Sequence, residues 1–265
     1  MLKISNLNVT FNPGDINEVQ ALKEISLHLP PGEFVAVIGS NGAGKSTLLN
    51  SVAGVFPVSR GHIEIDGQDV TDWPEYRRAR LVGRVFQNPL MGTAASMTIE
   101  QNLTLAAKRS QWRGLGLGIT AQKREQFREA LSHFGLGLEN RLHTRVNLLS
   151  GGQRQTLTLL MATLARPKIL LLDEHTAALD PATAYKIVQL TNQIIEETHL
   201  TTIMVTHNMR QALEMGTRTL MMHDGRILFD FSGEERRNLT VPKLLKMFAE
   251  VREQELADDR ILLAD

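Results

Sequence analysis

Alternation of apolar and polar residues marks the first part of the chain. Apolar residues recur at every second or third position in residues 2–11 and again in residues 21–29, the spacing of strands with one buried face. The turn-forming segments 12–15 and 30–32 end these two runs. A third run, residues 61–67, closes on an Asp-Gly pair. The pattern predicts paired antiparallel strands that lie beside the rest of the protein.

Continuous apolar runs follow a different pattern. Residues 33–38, 169–172 and 202–206 have the length and the branched side chains of strands that are buried on both faces. A helical pattern over residues 181–198 separates the second run from the third. Strands that alternate with helices predict an α/β fold with a mostly parallel, doubly wound sheet.

Helical periodicity replaces strand patterns from about residue 90 to residue 160. It is clearest at residues 99–107 and 122–134, so we expect an inserted α-helical subdomain there. Between the two helices, the glycine-spaced segment 113–118 is predicted to form a mobile surface loop.

These patterns predict one domain, residues 1–265. Its core comprises residues 1–89 and 161–235, and the helical subdomain covers about residues 90–160. Apolar residues at near-helical spacing predict a short helical tail at residues 236–265.

Composition narrows the class of protein. Lys+Arg 29 balances Asp+Glu 29, so the chain has no overall basic field to attract nucleic acid, and we expect no nucleic-acid partner. The absence of cysteine excludes disulfides and thiolate chemistry. The first residues alternate like a strand rather than a signal peptide, and no apolar run approaches the ~20 residues that span a bilayer. Any role at a membrane therefore requires a membrane-bound partner.

A phosphate-binding loop stands between a predicted strand and a predicted helix. Residues 39–47 fit the pattern G-x-x-x-x-G-K-[ST], which aims backbone N–H groups and a helix dipole at one point. We expect Lys45 to reach the β- and γ-phosphates of ATP, and the Ser46 hydroxyl to ligate Mg²⁺. The predicted ATP-binding residues of this loop are Gly39, Ser40, Asn41, Gly42, Ala43, Gly44, Lys45, Ser46 and Thr47.

A second glycine motif, Leu-Ser-Gly-Gly-Gln at residues 149–153, opens a later helix and offers a second anion-binding terminus. It matches the signature of ATP-binding cassette (ABC) ATPases, and the chain up to about residue 235 resembles that family. The resemblance implies a homodimer, or a pair with a closely related second ATPase subunit, in which each signature caps the γ-phosphate held by the other chain. Residues 177–180 resemble the family's D-loop. The residues expected to act in trans are Ser150, Gly151, Gly152, Gln153 and Asp180.

An acidic pair ends the predicted strand at residues 169–172. Asp173 is expected to hold Mg²⁺ through water, and Glu174 is the candidate general base because it points to where the attacking water would lie. Gln87 matches the family's Q-loop glutamine, which can ligate Mg²⁺ or the lytic water. His207 matches the switch histidine, whose neutral ring can donate to the γ-phosphate. The predicted catalytic residues are therefore Glu174, His207 and Gln87, and the predicted metal ligands are Ser46, Gln87 and Asp173.

Two other positions have more than one interpretation. Phe11 falls where the family places an aromatic ring that stacks on adenine and is a predicted ATP-binding residue; the alternative is an ordinary sheet residue. His175 stands where the family usually has proline; it either replaces a rigid residue or has its ring near the dimer seam. Histidines without ligand spacing (28, 62, 143 and 199) are predicted to be surface residues, and the late methionines to fill the core.

The resemblance implies an ABC importer subunit that binds and hydrolyses ATP at the cytoplasmic face of the cell membrane. Its partners would be integral membrane permease subunits and an extracytoplasmic solute-binding protein. The triplet at residues 175–177 resembles a branch of importers for aromatic amino acids or related small solutes. We expect a groove beside Gln87 to receive a helix of the permease, and the residues predicted to line it are Asn88, Pro89, Met91 and Met97.

The alternative is a soluble ABC ATPase that remodels a protein or nucleic-acid complex. Relatives of that kind commonly carry two cassettes, long coiled-coil insertions or cysteine-rich appendages, none of which this sequence contains.

Overall fold

The antiparallel sheet predicted from the N-terminal pattern is confirmed. The structure, a computed structural model, describes residues 1–109 and 118–262, so the predicted loop at 113–118 lies outside it except for Gly118. Within these ranges β1 pairs antiparallel with β2 on one side and with β4 on the other, and β5 extends the sheet. The strands are β1 (Leu2–Phe11), β2 (Val19–Leu29), β4 (Arg60–Ile65) and β5 (Gln68–Asp69).

The second sheet is mostly parallel, as expected. In the described part of the chain its order is β10-β9-β3-β8-β7-β6, and only the edge pair β10–β9 is antiparallel. The apolar runs form its centre because strands with a helix layer on each side are buried on both faces. The strands are β3 (Phe34–Gly39), β6 (Val82–Val85), β7 (Ile169–Asp173), β8 (Thr201–Val205), β9 (Arg218–His223) and β10 (Arg226–Phe231).

Helix α1 (Lys45–Ala53) lies between the two sheets. Its fully buried Leu48, Leu49 and Val52 contact apolar side chains of both sheets, which makes one continuous cluster. This burial holds the first residue of the helix, Lys45, at the edge where β3 ends.

The helical subdomain contains α3 (Ile99–Ala107), α4 (Ala121–Ser132) and α5 (Gly151–Leu164). Helix α5 belongs to this subdomain and to the core at once: Leu157 and Leu160 pack in the cluster of the helical subdomain, whereas Leu159 and Ala162 pack under the parallel sheet. The predicted boundary at residue 160 therefore falls inside one continuous helix.

Most of the remaining helices pack on the second face of the parallel sheet, and the short helix Glu75–Arg78 lies against the end of α1. None of the helices in residues 1–109 and 118–262 is both long and apolar enough to cross a membrane. The predicted methionine filling is confirmed, since Met204, Met221 and Met222 are fully buried. The helices are α2 (Glu75–Arg78), α6 (Pro181–Thr198), α7 (Met209–Met215), α8 (Gly233–Arg237) and α9 (Val241–Leu262).

A buried arginine closes the C-terminal end of α1. The Arg78 guanidinium donates to the carbonyls of Ser51 at 2.6 Å and Val52 at 3.1 Å, near the end of the helix. It also donates to the carbonyls of Thr71 at 2.6 Å and Trp73 at 3.0 Å. One cation thereby satisfies four carbonyls and lies where the helix dipole favours positive charge.

We expect Arg78→Met to lower the free energy of unfolding by about 2–4 kcal/mol, because the buried carbonyls lose their donor. Urea unfolding of the nucleotide-free protein measures this change. The matched control is Arg80→Met, which removes the same cation from an exposed position two residues further along the chain. Equal stability of the two variants would show that the four contacts of Arg78 contribute nothing.

Candidate functional site

The carboxyl ends of three neighbouring parallel strands define the site. Strand β3 ends at Gly39, β7 at Asp173 and β8 at Val205, and α1 begins at Lys45. The phosphate-binding loop, the acidic pair and the segment that carries His207 therefore meet at one edge of the sheet. Ligands of open α/β sheets bind in such a crevice.

Packing within the protein itself requires glycine at two positions of the phosphate-binding loop. A Cβ at position 39 would lie 2.3 Å from the Met222 carbonyl oxygen, and a Cβ at position 44 would lie 2.6 Å from the Ala21 carbonyl oxygen. Gly44 also has φ +91°, a backbone conformation that disfavours other residues. These two glycines are therefore required by the folded chain itself.

Lys45 is buried at the base of the loop. Its Nζ donates to the carbonyl oxygens of Gly39 at 2.9 Å and Ser40 at 2.8 Å. Burial lowers the pKa of Lys45, and the nearby carboxylates of Glu174 and Asp173 oppose that shift. The ammonium group therefore lies within the field of the two acidic residues that the sequence assigned to the same site.

The Asp173 carboxylate lies between a hydroxyl and a cation. Ser46 is a neighbour of this carboxylate, and Arg84 Nη2 lies 3.4 Å from its Oδ2. Burial raises the pKa of Asp173, and the Arg84 guanidinium opposes the shift. The sequence argument missed Arg84, although an arginine inside the short buried strand β6 is itself a signal, because an arginine is rarely buried without a partner.

The side-chain oxygens of Ser46 and Asp173 are suitable ligands for Mg²⁺. No group of three or more His, Cys, Asp or Glu able to hold a metal occurs in the described residues. A hydroxyl and one carboxylate, completed by water and phosphate oxygens, is the environment that Mg²⁺ takes in nucleotide sites.

Two of the predicted catalytic residues, Gln87 and His207, contact the same carboxylate oxygen of the third, Glu174. Gln87 Nε2 donates to Glu174 Oε2 at 3.0 Å, and His207 Nδ1 lies 3.3 Å from the same oxygen. Glu174 has φ +42°, in the left-handed region. A non-glycine residue held in that region is under strain, which occurs preferentially at functional sites.

The predicted signature begins α5, and its two glycines have different surroundings. Ser150 caps the helix: its Oγ accepts from Gln153 N at 3.2 Å, and its own N–H donates to Gln153 Oε1 at 3.2 Å. A Cβ at Gly152 would lie 2.3 Å from Thr183 Cγ2, whereas a Cβ at Gly151 would meet only a leucine side-chain carbon at 3.5 Å. Gly152 is thus required by packing on α6, and Ser150 and Gly151 are exposed.

Two other predicted ligands have contacts within the chain. Asp180 caps α6, where its carboxylate accepts from Thr183 N at 3.0 Å, and the contacts with Thr183 lower its pKa. The ring of Phe11, half-buried at the end of β1, packs edge-on against Phe56 with centroids 5.0 Å apart.

His175 lies inside its own chain and not at a seam. The ring is 2% exposed, and its Nε2 is 3.3 Å from Thr191 Oγ1 on α6. Because that hydroxyl already donates to the Ile187 carbonyl at 2.7 Å, the ring nitrogen must be the donor. Burial lowers the pKa of His175 to about 4, so the ring is neutral. The other histidines that the sequence placed on the surface are exposed, as expected: His28, His62, His143 and His199.

Comparison with known proteins agrees with this geometry. Residues 22–177 match the family described as ABC transporter. The tyrosine transport ATP-binding protein of Clostridioides difficile (strain R20291) is 44% identical over 250 residues, which cover 94% of this chain and 98% of that protein. The thiamine import ATP-binding protein of Yersinia pseudotuberculosis is 40% identical over 207 residues, which cover 77% and 81%.

Solved structures show the same fold. A dimeric ATP-binding cassette in a post-hydrolysis state, bound to ADP and Pi, matches with a TM-score of 0.76 and 31% identity over 88% of this chain and 98% of that chain. Fold and site together define an ATP-binding cassette ATPase of the P-loop class. The chain belongs to the ABC transporter family.

Proposed function

We propose that this protein is the ATP-hydrolysing subunit of an import system that takes up a small solute through a partner permease. The observation that carries the proposal is the placement of Gln87 and His207 on either side of the Glu174 carboxylate, next to the phosphate-binding loop. The importer role is supported by the thiamine import ATP-binding protein of Yersinia pseudotuberculosis, of which the alignment covers 81%. The tyrosine transport relative favours an amino acid as the solute.

In this proposal the phosphate-binding loop positions ATP for attack by water. Lys45 would neutralise the β- and γ-phosphates, and Ser46, Gln87 and Asp173 would hold Mg²⁺, which would supply positive charge next to the transferred phosphoryl group. Phe11 stacks on adenine from the end of β1. The other ATP contacts are Gly39, Ser40, Asn41, Gly42, Ala43, Gly44 and Thr47.

Glu174 acts as the general base in this site. Its Oε2 is the shared partner of Gln87 and His207, so these two side chains orient the carboxylate that accepts a proton from the attacking water. His207 is exposed and free to turn its ring toward the γ-phosphate.

The proposal requires two copies of the chain, or one copy with a closely related subunit. Ser150 and Gly151 are exposed at the positive end of the α5 dipole, a terminus suited to a phosphate held by another chain. Gly152 and Gln153 support this terminus from within, and Asp180 begins the neighbouring helix.

A cavity between the core and the helical subdomain is the proposed receptor for a cytoplasmic helix of the permease. It holds about 250 Å³, and Arg84, Phe86 and Met91 are among its lining residues. Met91 is 70% exposed at its rim. Of the residues expected to line the groove, Asn88 lies in an adjoining cavity with Met91, Met97 is partly exposed and Pro89 is buried.

Docking at this cavity would hold the protein at the cytoplasmic face of the cell membrane. Integral membrane permease subunits and an extracytoplasmic solute-binding protein complete the proposed system. The solute contacts would then lie in those partners rather than in this chain.

Glu174→Gln is expected to abolish turnover and to preserve ATP binding, because the amide keeps the shape of the side chain but cannot accept the proton. Loss of a general base costs about 10²–10⁴-fold in rate. Phosphate release and equilibrium ATP titration measure the two effects on the same preparation. Hydrolysis near the wild-type rate would remove Glu174 from this role.

Mixed dimers test whether the signature acts on the opposite chain, with Glu174→Gln present throughout to stop hydrolysis. A dimer of one Lys45→Ala chain and one Gly151→Asp chain should bind one ATP, because both lesions fall on the same composite site. Position 151 tolerates the side chain sterically, since its Cβ has only an ordinary contact. An acidic side chain there would repel the γ-phosphate.

The control carries both lesions in one chain beside an unmodified partner chain. Both composite sites are then damaged, so we expect ATP occupancy well below that of the split dimer. Occupancy of the split dimer below that of the control, by equilibrium binding, would mean that each signature serves its own chain, and equal occupancy would mean that the signature does not contribute to ATP binding.

Copurification tests the importer role. We expect the tagged protein, extracted from membranes with detergent, to copurify with integral membrane permease subunits, and Met91→Glu to abolish this association while leaving ATP binding intact. The matched control is Ile16→Glu, a similar exchange at a residue that is 98% exposed on the loop between β1 and β2. Recovery of a soluble scaffold in place of permease subunits would favour the remodelling ATPase instead.

A further inference from the structure

Two loops carry the residues that act on the attacking water in the proposed function. Glu174 follows β7 and His207 follows Thr206 at the end of β8, and these strands are adjacent and parallel, with Asp173 opposite Val205. Glu174 N donates to the Val205 carbonyl at 2.9 Å, next to the last paired residues. Beyond this bond the distance between Glu174 and His207 depends on contacts between the loops themselves.

The side chain of Gln211 joins the two loops. Its Oε1 accepts from Thr206 Oγ1 at 3.0 Å, on the loop of His207. Its Nε2 lies 3.1 Å from Thr176 Oγ1, on the loop of Glu174, and its Oε1 lies 3.3 Å from the same hydroxyl. Gln211 is 7% exposed, so these bonds are largely shielded from competing water.

The backbone around Gln211 closes the network. Gln211 N donates to Asn208 Oδ1 at 3.1 Å, and Asn208 N donates to Thr206 Oγ1 at 3.0 Å. His207 therefore lies between two residues that are both tied to Gln211. Because Gln211 is on α7, whose N-terminal cap is Asn208, the helix itself holds the amide in place.

The other end of α7 is also fixed. The buried Arg236 of α8 donates through Nη2 to the carbonyls of Ala212 at 3.0 Å, Leu213 at 2.7 Å and Gly216 at 2.7 Å, at the C-terminal end of the helix. Helix α7 is thus held at both ends, and Gln211 projects from a rigid element rather than from a loop.

We infer that Gln211 is a positioning residue for ATP hydrolysis, which holds the Glu174 loop and the His207 loop in register through Thr176 and Thr206. The inference rests on the roles proposed for Glu174 and His207. Gln211 touches neither ATP nor the attacking water in this proposal; it sets the distance at which His207 meets the Glu174 carboxylate. A displacement of about 1 Å at a reacting group can cost ~10²-fold in rate.

The experiment compares Gln211→Met with wild type in steady-state hydrolysis by the purified protein. Methionine keeps the length of the side chain and loses the amide. We expect kcat to fall about 10- to 100-fold, with KM and the equilibrium affinity for ATP changed by less than about 3-fold. The matched control is Gln193→Met on the exposed side of α6, where the amide donates to Glu197, and it should hydrolyse ATP like wild type.

Thr176→Val removes the hydrogen bonds to Gln211 from the side of the Glu174 loop. This variant replaces Gln211→Met in the experiment if Gln211→Met does not fold. Thr176→Val should likewise lower kcat and leave KM unchanged. Because both changes break one bond network, the double variant should be no slower than the slower single variant by more than about 3-fold. Independent, additive losses would contradict a shared role.

Three results would overturn the inference: a wild-type kcat in Gln211→Met, a loss of ATP affinity as large as the loss of kcat, or additive losses in the double variant. Its failure differs from a failure of the proposed function. If Glu174→Gln abolishes hydrolysis and Gln211→Met does not slow it, only the role of Gln211 is wrong. If Glu174→Gln hydrolyses ATP normally, the proposed site itself is wrong.

Discussion

The parallel pairing of β3, β8 and β7 is the constraint on which the site depends. Hydrogen bonds between adjacent strands align Val37 with Val205 and Val205 with Asp173, so the three chain segments leave the sheet at the same level. Each strand is buried on both faces, which fixes its register, because a shift would carry every side chain to a different partner. The phosphate-binding loop, the acidic pair and the histidine segment therefore meet at one edge of the sheet.

Beyond the strand ends, hydrogen bonds from buried polar side chains hold the helices and loops in place. Arg78 holds the end of α1, Arg236 holds the end of α7, and Gln211 joins two loops. Each has several partners and little contact with water, a setting in which a lost hydrogen bond is costly. The exposed residues of the site are thus held in place by buried residues that would not touch ATP.

Helix α5 connects the signature to the site of its own chain. Its first residues carry the exposed Ser150 and Gly151, and its middle packs between the helical subdomain and the core. From the same helix, the buried Gln155 reaches the Phe86 carbonyl at 3.5 Å, one residue before Gln87. A helix is stiff along its axis, so the position of the signature and the position of Gln87 are mechanically linked. In the proposed dimer, this link would connect the signature that faces the ATP of the other chain with Gln87 of its own chain.

The sequence by itself determined the strands, most helices and the motif residues, because alternation, apolar runs and glycine patterns are local properties of the chain. It also indicated the ABC family, since the order of the motifs is readable without coordinates. The convergence of Gln87 and His207 on one oxygen of Glu174, the burial of His175 against α6, and the partners of Arg84 and Gln211 required the tertiary structure. Those contacts join residues far apart in the chain, and only the packing of helices on the sheet sets the distances between them.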